Sequence, residues 1–396
     1  MKHIKRIPLI FKILAAMALG VLFGQFLPVG ASRIFVTFNS IFSQFLGFLI
    51  PLIILGFVAP AIAETGRKAG KILIITAGVS YIFTILAGLF SYATGSVIFP
   101  RLITPGELTH IDMSGAPMPF FTIEMPPLFG VMTALVAAFV LGIGMASTDS
   151  TRMRGAMNEF RNIVELTIAK AIIPLLPLYI FGVFLSMTIG GQVFIVLGAF
   201  VKIIAVLFAC HIAVLLFQFC IAGGLTKRNP LKLLLTMLPA YFTALGTQSS
   251  AATIPVTLRQ SLKTGVSEEV AGFVVPLCAT IHMSGSILKL VGCALALMVM
   301  NGMAFDFSMF AGFIAMLGVT IIAAPGVPGG AVMASLGLMA SMLGFTESDQ
   351  ALIIALYIAM DSFGTACNVT GDGSIALIIN RIFPTRKQQD DVEMAA

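Results

Sequence analysis

The sequence predicts an all-α polytopic membrane protein with eight transmembrane helices and two re-entrant helical hairpins, arranged as inverted repeats. Three observations predict it. Hydrophobic residues fill 58% of the chain and charged ones 10%, with a mean hydropathy of +1.04, so no soluble domain of useful size remains. Apolar runs long enough to cross a hydrocarbon layer of about 30 Å recur along the chain. Basic residues gather in the loops that an alternating topology places on one side, so the net charge of +6 reflects topology and not a nucleic-acid partner.

The first apolar run, 8–28, follows Lys2, Lys5 and Arg6 in the manner of a signal peptide. It continues far enough past Lys12 to span a bilayer, and is expected to be a retained first helix. Further spans are expected at 36–62, 72–99, 127–148, 168–190, 194–223, 270–301 and 350–380. With the N-terminus inside, the basic residues around Arg67, Arg152, Lys227, Arg259 and Arg381 face the cytoplasm, while Arg33 and Arg101 face outward. Both termini are then cytoplasmic, in a multi-pass protein of the inner membrane.

Two further apolar stretches, 231–260 and 308–345, fit this topology only if each enters and leaves on one side. Lys232 and Lys263 bracket the first, whereas the second has no flanking basic residue and is followed by Glu347 and Asp349. Their centres, Gly246 to Pro255 and Pro325 to Gly330, are the polar or Gly/Pro interruptions that re-entrant tips require. Broken elements of opposite orientation match the inverted repeats of secondary transporters.

The eighth span carries Asp361, Thr365, Asn368 and Asp372 at offsets of 0, 4, 7 and 11, one face of a helix. A charged group at bilayer depth costs roughly 2.5–3.5 kcal/mol on the most lenient scale, so such groups are kept where they meet an ion, a substrate or a partner charge. The five cysteines, Cys210, Cys220, Cys278, Cys293 and Cys367, lie in apolar stretches without CxxC spacing, which argues against a metal cluster or a disulfide framework.

From Ser249 onward the chain resembles the dicarboxylate/amino acid:cation symporter family, which includes glutamate transporters and neutral amino acid exchangers. The motifs that carry the resemblance are Ser249-Ser-Ala-Ala-Thr-Ile-Pro255, His282-Met-Ser-Gly-Ser286, Gly326-Val-Pro-Gly-Gly330 and the run from Asp361 to Asp372. The resemblance implies a homotrimer in membrane lipid. It also implies a scaffold of spans 1–2 (1–70) and 4–5 (101–190), and a mobile, elevator-type transport domain made of span 3 (71–100) and the core 191–396. Its substrate would be an amino acid or dicarboxylate, moved with Na+ and without an organic cofactor.

Residue by residue, the resemblance assigns the substrate's amino group to Asp361 and its polar ends to Thr365 and Asn368. Ser249 and Ser250 would hold the α-carboxylate, with Ser286, Val327 and Gly330 completing the set. Sodium would sit at Asp372 with backbone carbonyls of Cys278, His282 and Asn368. A second ion would take carbonyls around Thr280, Ile321, Ile322 and Ala324. Oxygen-only sites of this kind suit hard cations.

Departures from the family pattern are equally specific. Where the family reads Asn-Met-Asp-Gly-Thr this chain reads His282 to Ser286, which puts a third sodium in doubt, although Thr76 and Ser80 could still offer oxygens. His282 could couple H+ instead, or be hydrogen-bonded in the core. The arginine that acidic-substrate members carry is replaced by Gly364 and Gln248, which favours a small neutral amino acid. Lys289, seven residues after His282 and expected on its face, has three readings: a receptor for an acidic substrate, a tethered cation, or an ion-pair partner of Asp361 or Asp372.

An enzyme is disfavoured. Asp361 and Asp372 lie about 16 Å apart along one helix and cannot share a proton as in an intramembrane aspartyl protease, and no Gly-x-Ser-x-Gly elbow surrounds Ser249 or Ser250. A channel suits two midplane hairpins less well than alternating access does.

Overall fold

A computed structural model describes residues 9–65, 71–108, 117–148, 150–324 and 329–384. The described residues are about 85% helical and contain no strand. Among the described residues six helices are long and apolar enough to cross a membrane, or seven when the broken C-terminal pair is counted as one span.

By internal packing the chain forms two compact units: 1–67, 95–205 and 292–359, and 68–94, 206–291 and 360–396. The scaffold-and-mobile partition expected from the resemblance is a partition by movement, and it groups 95–100, 191–205 and 292–359 differently.

In the first unit α1 (Leu9–Gly24) packs on α6 (Ile173–Ile189). A Cβ at Gly20 would lie 2.7 Å from the carbonyl oxygen of Phe181, so the absence of a side chain there is what lets the two backbones touch. The long α2 (Val29–Thr65) packs on α4 (Val131–Thr148), and α5 (Thr151–Thr167) is started by Ser150, whose hydroxyl accepts from the N–H of Met153. The fifth span thus begins well before position 168. Its first part is the amphipathic helix that carries Arg152, Arg154 and Arg161, joined to α6 through a π-turn at Ile168–Ile172. Pro174 has no N–H to offer the Lys170 carbonyl, and the ladder widens there, with the N–H of Ile173 reaching the carbonyl of Ile168.

The second hairpin lies in this unit as α12 (Phe307–Ile322) and α13 (Gly330–Leu343), about 24 and 21 Å long and each too short to span a bilayer. Gly329 caps α13 at φ 77°, a left-handed conformation suited to glycine. Most of its expected tip, 325–328, lies outside the described residues. The helix α14 (Glu347–Ala359) completes the unit.

The second unit takes the N-terminal part of α3 (Lys71–Leu102) and the C-terminal part of α7 (Val193–Thr226). The first hairpin, α8 (Pro230–Thr247) and α9 (Ser250–Lys263), packs against α10 (Glu268–Ile281) and α15 (Asp361–Ile382). Its tip is tighter than the stretch from Gly246 to Pro255: the helix breaks only at Gln248, which takes φ 53°, and Ser249. Two spans expected to be continuous are broken. The seventh is interrupted at His282 and Met283 between α10 and α11 (Ser284–Met300), and the eighth at Met360 between α14 and α15.

Candidate substrate and cation site

Asp361 opens α15, and Asn368 and Asp372 follow on the same side, all three buried, with the half-buried Thr365 between them. Each is held by a named partner. The carboxylate of Asp361 accepts from Nζ of Lys289 at 3.0 Å, and Lys289 is the one Lys or Arg among the described residues whose side chain is wholly buried. Of the three readings of Lys289, the ion pair with Asp361 is the contact seen. Lys289 and His282 both turn toward the polar face of α15, the lysine to Asp361 and the histidine to Asp372.

Asp372 faces His282: Oδ1 lies 3.0 Å from Nδ1 of the ring, which also lies 3.2 Å from the carbonyl of Asn368. On the other edge of the ring, Nε2 is 2.9 Å from Oγ of Ser284 and 3.3 Å from Nε2 of Gln218, and that amide also donates to Ser284 at 3.1 Å. Gly371 makes room for this cluster, since a Cβ there would lie 2.5 Å from both the Gln218 carbonyl oxygen and the imidazole. The polar group expected at His282 to Ser286 is therefore a hydrogen-bonded net with no carboxylate of its own.

Asn368 commits both ends of its amide to the break. Oδ1 accepts from the N–H of Gly285 at 2.7 Å, and Nδ2 donates to Oγ of Ser286 at 3.1 Å. Across the break the N–H of Met283 is taken by Oγ1 of Thr84, and the N–H of His282 by the carbonyl of Cys278. Thr76, Ser80 and Thr84, spaced by four on α3, are fully buried, and Ser80 lies 3.5 Å from the thiol of Cys278.

At the hairpin tip Ser249 caps α9, its hydroxyl accepting from the N–H of Ala252 at 3.2 Å. The hydroxyl is thus used by the helix, and what the tip can present to an anion is the remaining first-turn N–H groups and the half-buried Ser250. Gln248 donates to Oγ of Ser362 at 3.0 Å, tying the tip to the residue next to Asp361. Thr365 bonds back to the carbonyl of Asp361, and the exposed Thr280 to that of Leu277. Ile321, Ile322, Ala324 and Gly330 belong to the first unit, and Val327 lies outside the described residues.

As a hard-cation site the surroundings of Asp372 have the right chemistry, a buried carboxylate beside main-chain oxygens where helix α10 ends. No group of three or more His, Cys, Asp or Glu side chains that could hold a metal ion occurs among the described residues.

The sodium:dicarboxylate symporter family matches this sequence over residues 9–382. The chain belongs to that family. Among the relatives of this symporter chain is the serine/threonine transporter SstT of Acinetobacter baumannii, 26% identical over 396 residues that cover 94% of this chain and 96% of the relative. Excitatory amino acid transporter 2 of Mus musculus is 26% identical, and that of Homo sapiens 25%, each over 274 residues covering 65% of this chain. The chain spans about half the length of these excitatory transporters, 47%. The all-helical, multi-pass architecture agrees with the family.

Two residues that reasoning from the sequence passed over are His211 and Gln218 of α7. Both are about 1% exposed, and both reach the break, His211 through Nε2 to the carbonyl of Gly285 at 3.1 Å. They are seven apart in an otherwise apolar helix, and that spacing was the signal available.

Proposed function

We propose that this protein is a secondary active transporter that carries a small amino acid across the inner membrane together with sodium. One observation carries the reading. The acids of α15 are turned into the protein at the two ends of a broken helix, and a re-entrant tip is tied beside the first of them through Gln248 and Ser362. A polar face of this kind is costly in a span unless it meets charge.

In this reading the substrate's ammonium binds Asp361, in competition with Lys289. Its α-carboxylate takes the first-turn N–H groups of α9 and the hydroxyl of Ser250, where the helix end favours an anion. Sodium binds the Asp372 carboxylate and main-chain oxygens at the break. The two events couple through Asn368, whose carbonyl faces His282 and whose side chain fixes Gly285 and Ser286. An ion that draws Asp372 and the Asn368 carbonyl together shifts the backbone from which Lys289 projects. The second ion near Thr280, the trimer, the elevator-type movement of a transport domain and the cytoplasmic termini belong to the same reading.

A neutral substrate is supported by Gly364 and Gln248, which bring no guanidinium, and by the serine/threonine transporter among the relatives. A second reading, an acidic amino acid or dicarboxylate, is favoured by one observation: the Lys289 ammonium stands 2.6 Å from where a Cβ on Gly364 would be, in the place a side chain at that position would fill.

Proteoliposomes test the proposal. Uptake of labelled serine, alanine or aspartate that appears with an inward sodium gradient and vanishes in its absence supports it. Accumulation of none of them under a gradient removes it.

A further inference from the structure

His211 carries an acceptor that nothing in the described structure uses. A carbonyl oxygen only accepts, so the contact between Nε2 and the Gly285 carbonyl places the proton of the neutral ring on Nε2 and leaves Nδ1 as a buried lone pair without a partner. An unsatisfied buried acceptor is destabilising and rare enough to call for a reason.

A buried donor, the Lys289 ammonium, extends from the same helix that supplies the Gly285 carbonyl. Gly285 and Lys289 are four apart on α11, so the ring bound at the Gly285 carbonyl lies beside the turn from which Lys289 extends. The packing around this group is close. A Cβ at Gly285 would lie 2.4 Å from the Gly364 carbonyl oxygen, one at Gly364 would lie 2.3 Å from Cε of Lys289, and Cys367 contacts the His211 carbonyl. Gly364 thus makes room for the Lys289 side chain beside Asp361, and Gly285 lets α11 and α15 approach closely.

We propose that Lys289 has two seats: the carboxylate of Asp361, and Nδ1 of His211 when the ammonium of an incoming amino acid takes Asp361. Lys289 is then a resident competitor for the substrate's seat, and His211 sets how readily it yields. An ammonium displaced from a carboxylate inside protein is costly unless another acceptor receives it. The orphan Nδ1 is that acceptor. The inference rests on the proposed role of Asp361 as ammonium receptor and adds a residue pair that tunes it.

Calorimetry of amino acid binding to the purified full-length protein in sodium tests it. Lys289→Met should tighten binding on the order of tenfold, because the competitor is gone, and His211→Phe should weaken it by a similar factor, because the second seat is gone. In the Lys289→Met background His211→Phe should have no further effect, and His211→Gln, which can donate to Gly285 and still accept, should bind as the parent does. Sodium affinity should hold in all of them, which a general packing defect would not allow. Lys289→Gln, which leaves Asp361 a hydrogen-bond donor, carries the same prediction if the Met variant does not fold. Weaker binding in the Lys289 variants, or an equal effect of His211→Phe in both backgrounds, overturns the two-seat assignment while leaving the transporter reading intact. Absence of any amino acid binding by the parent protein overturns both.

Discussion

The N–H of Gly285 donates to Oδ1 of Asn368 at 2.7 Å, and through this bond the first turn of α11 is fixed to the middle of α15. The same asparagine presents its carbonyl to His282 and its amide to Ser286, so one residue joins the surroundings of Asp372 to those of Lys289.

Asn368→Ala should therefore weaken both ligands together. It leaves the Gly285 N–H buried without its acceptor, a loss of about 1–3 kcal/mol in stability. Thermal unfolding in detergent should show the loss, and titrations should show lower affinity for sodium and for amino acid alike. A change in one affinity alone would place Asn368 outside the coupling path.

Asp361→Asn should abolish uptake and lower stability by about 3–5 kcal/mol, because it leaves the ammonium of Lys289 buried beside a neutral amide. Adding Lys289→Met should recover stability and not uptake. Recovery of uptake in the double variant would mean that Asp361 serves only to neutralise the lysine.

Asp372→Asn should raise the sodium concentration needed for half-maximal uptake by tenfold or more while sparing amino acid affinity at saturating sodium, as expected when an ion loses its one charged ligand. An unaltered sodium titration of uptake would move the ion elsewhere.

The polar face of α15 was legible in the sequence because a 3.6-residue period places four polar side chains on one side of an apolar helix. The two hairpins were legible from the basic residues that flank the first, from their lack beside the second, and from Gly/Pro or polar interruptions. The breaks at His282 and Met360 were not, because neither carries glycine or proline. At His282 the interruption is sustained by side chains from distant elements, Thr84 and Asn368, which no local window contains. The role of Gln218 was hidden for a related reason, since its partners His282 and Ser284 lie far along the chain.

Two glycines distinguish rigid from yielding contacts. Gly285→Ala drives a methyl against the Gly364 carbonyl, main chain that cannot retreat, whereas Gly364→Ala meets the end of the Lys289 side chain. Overpacking of this kind costs about 1–3 kcal/mol. Thermal unfolding should show the larger loss for Gly285→Ala, and amino acid affinity should change more for Gly364→Ala, which pushes Lys289 off its position. The reverse order in both assays would contradict the packing described.

If Asp361 and Asp372 gather an ammonium and a sodium ion at one coupled site, each ligand must tighten the other, and reciprocal linkage tests this most directly. Amino acid affinity should be measured by calorimetry with and without sodium, in the parent protein and in Asp372→Asn. At a sodium concentration that saturates the parent but lies well below the raised requirement of the variant, sodium should tighten binding by about tenfold or more in the parent and hardly at all in the variant. Binding that ignores sodium in the parent, or that responds equally in both proteins, would contradict it.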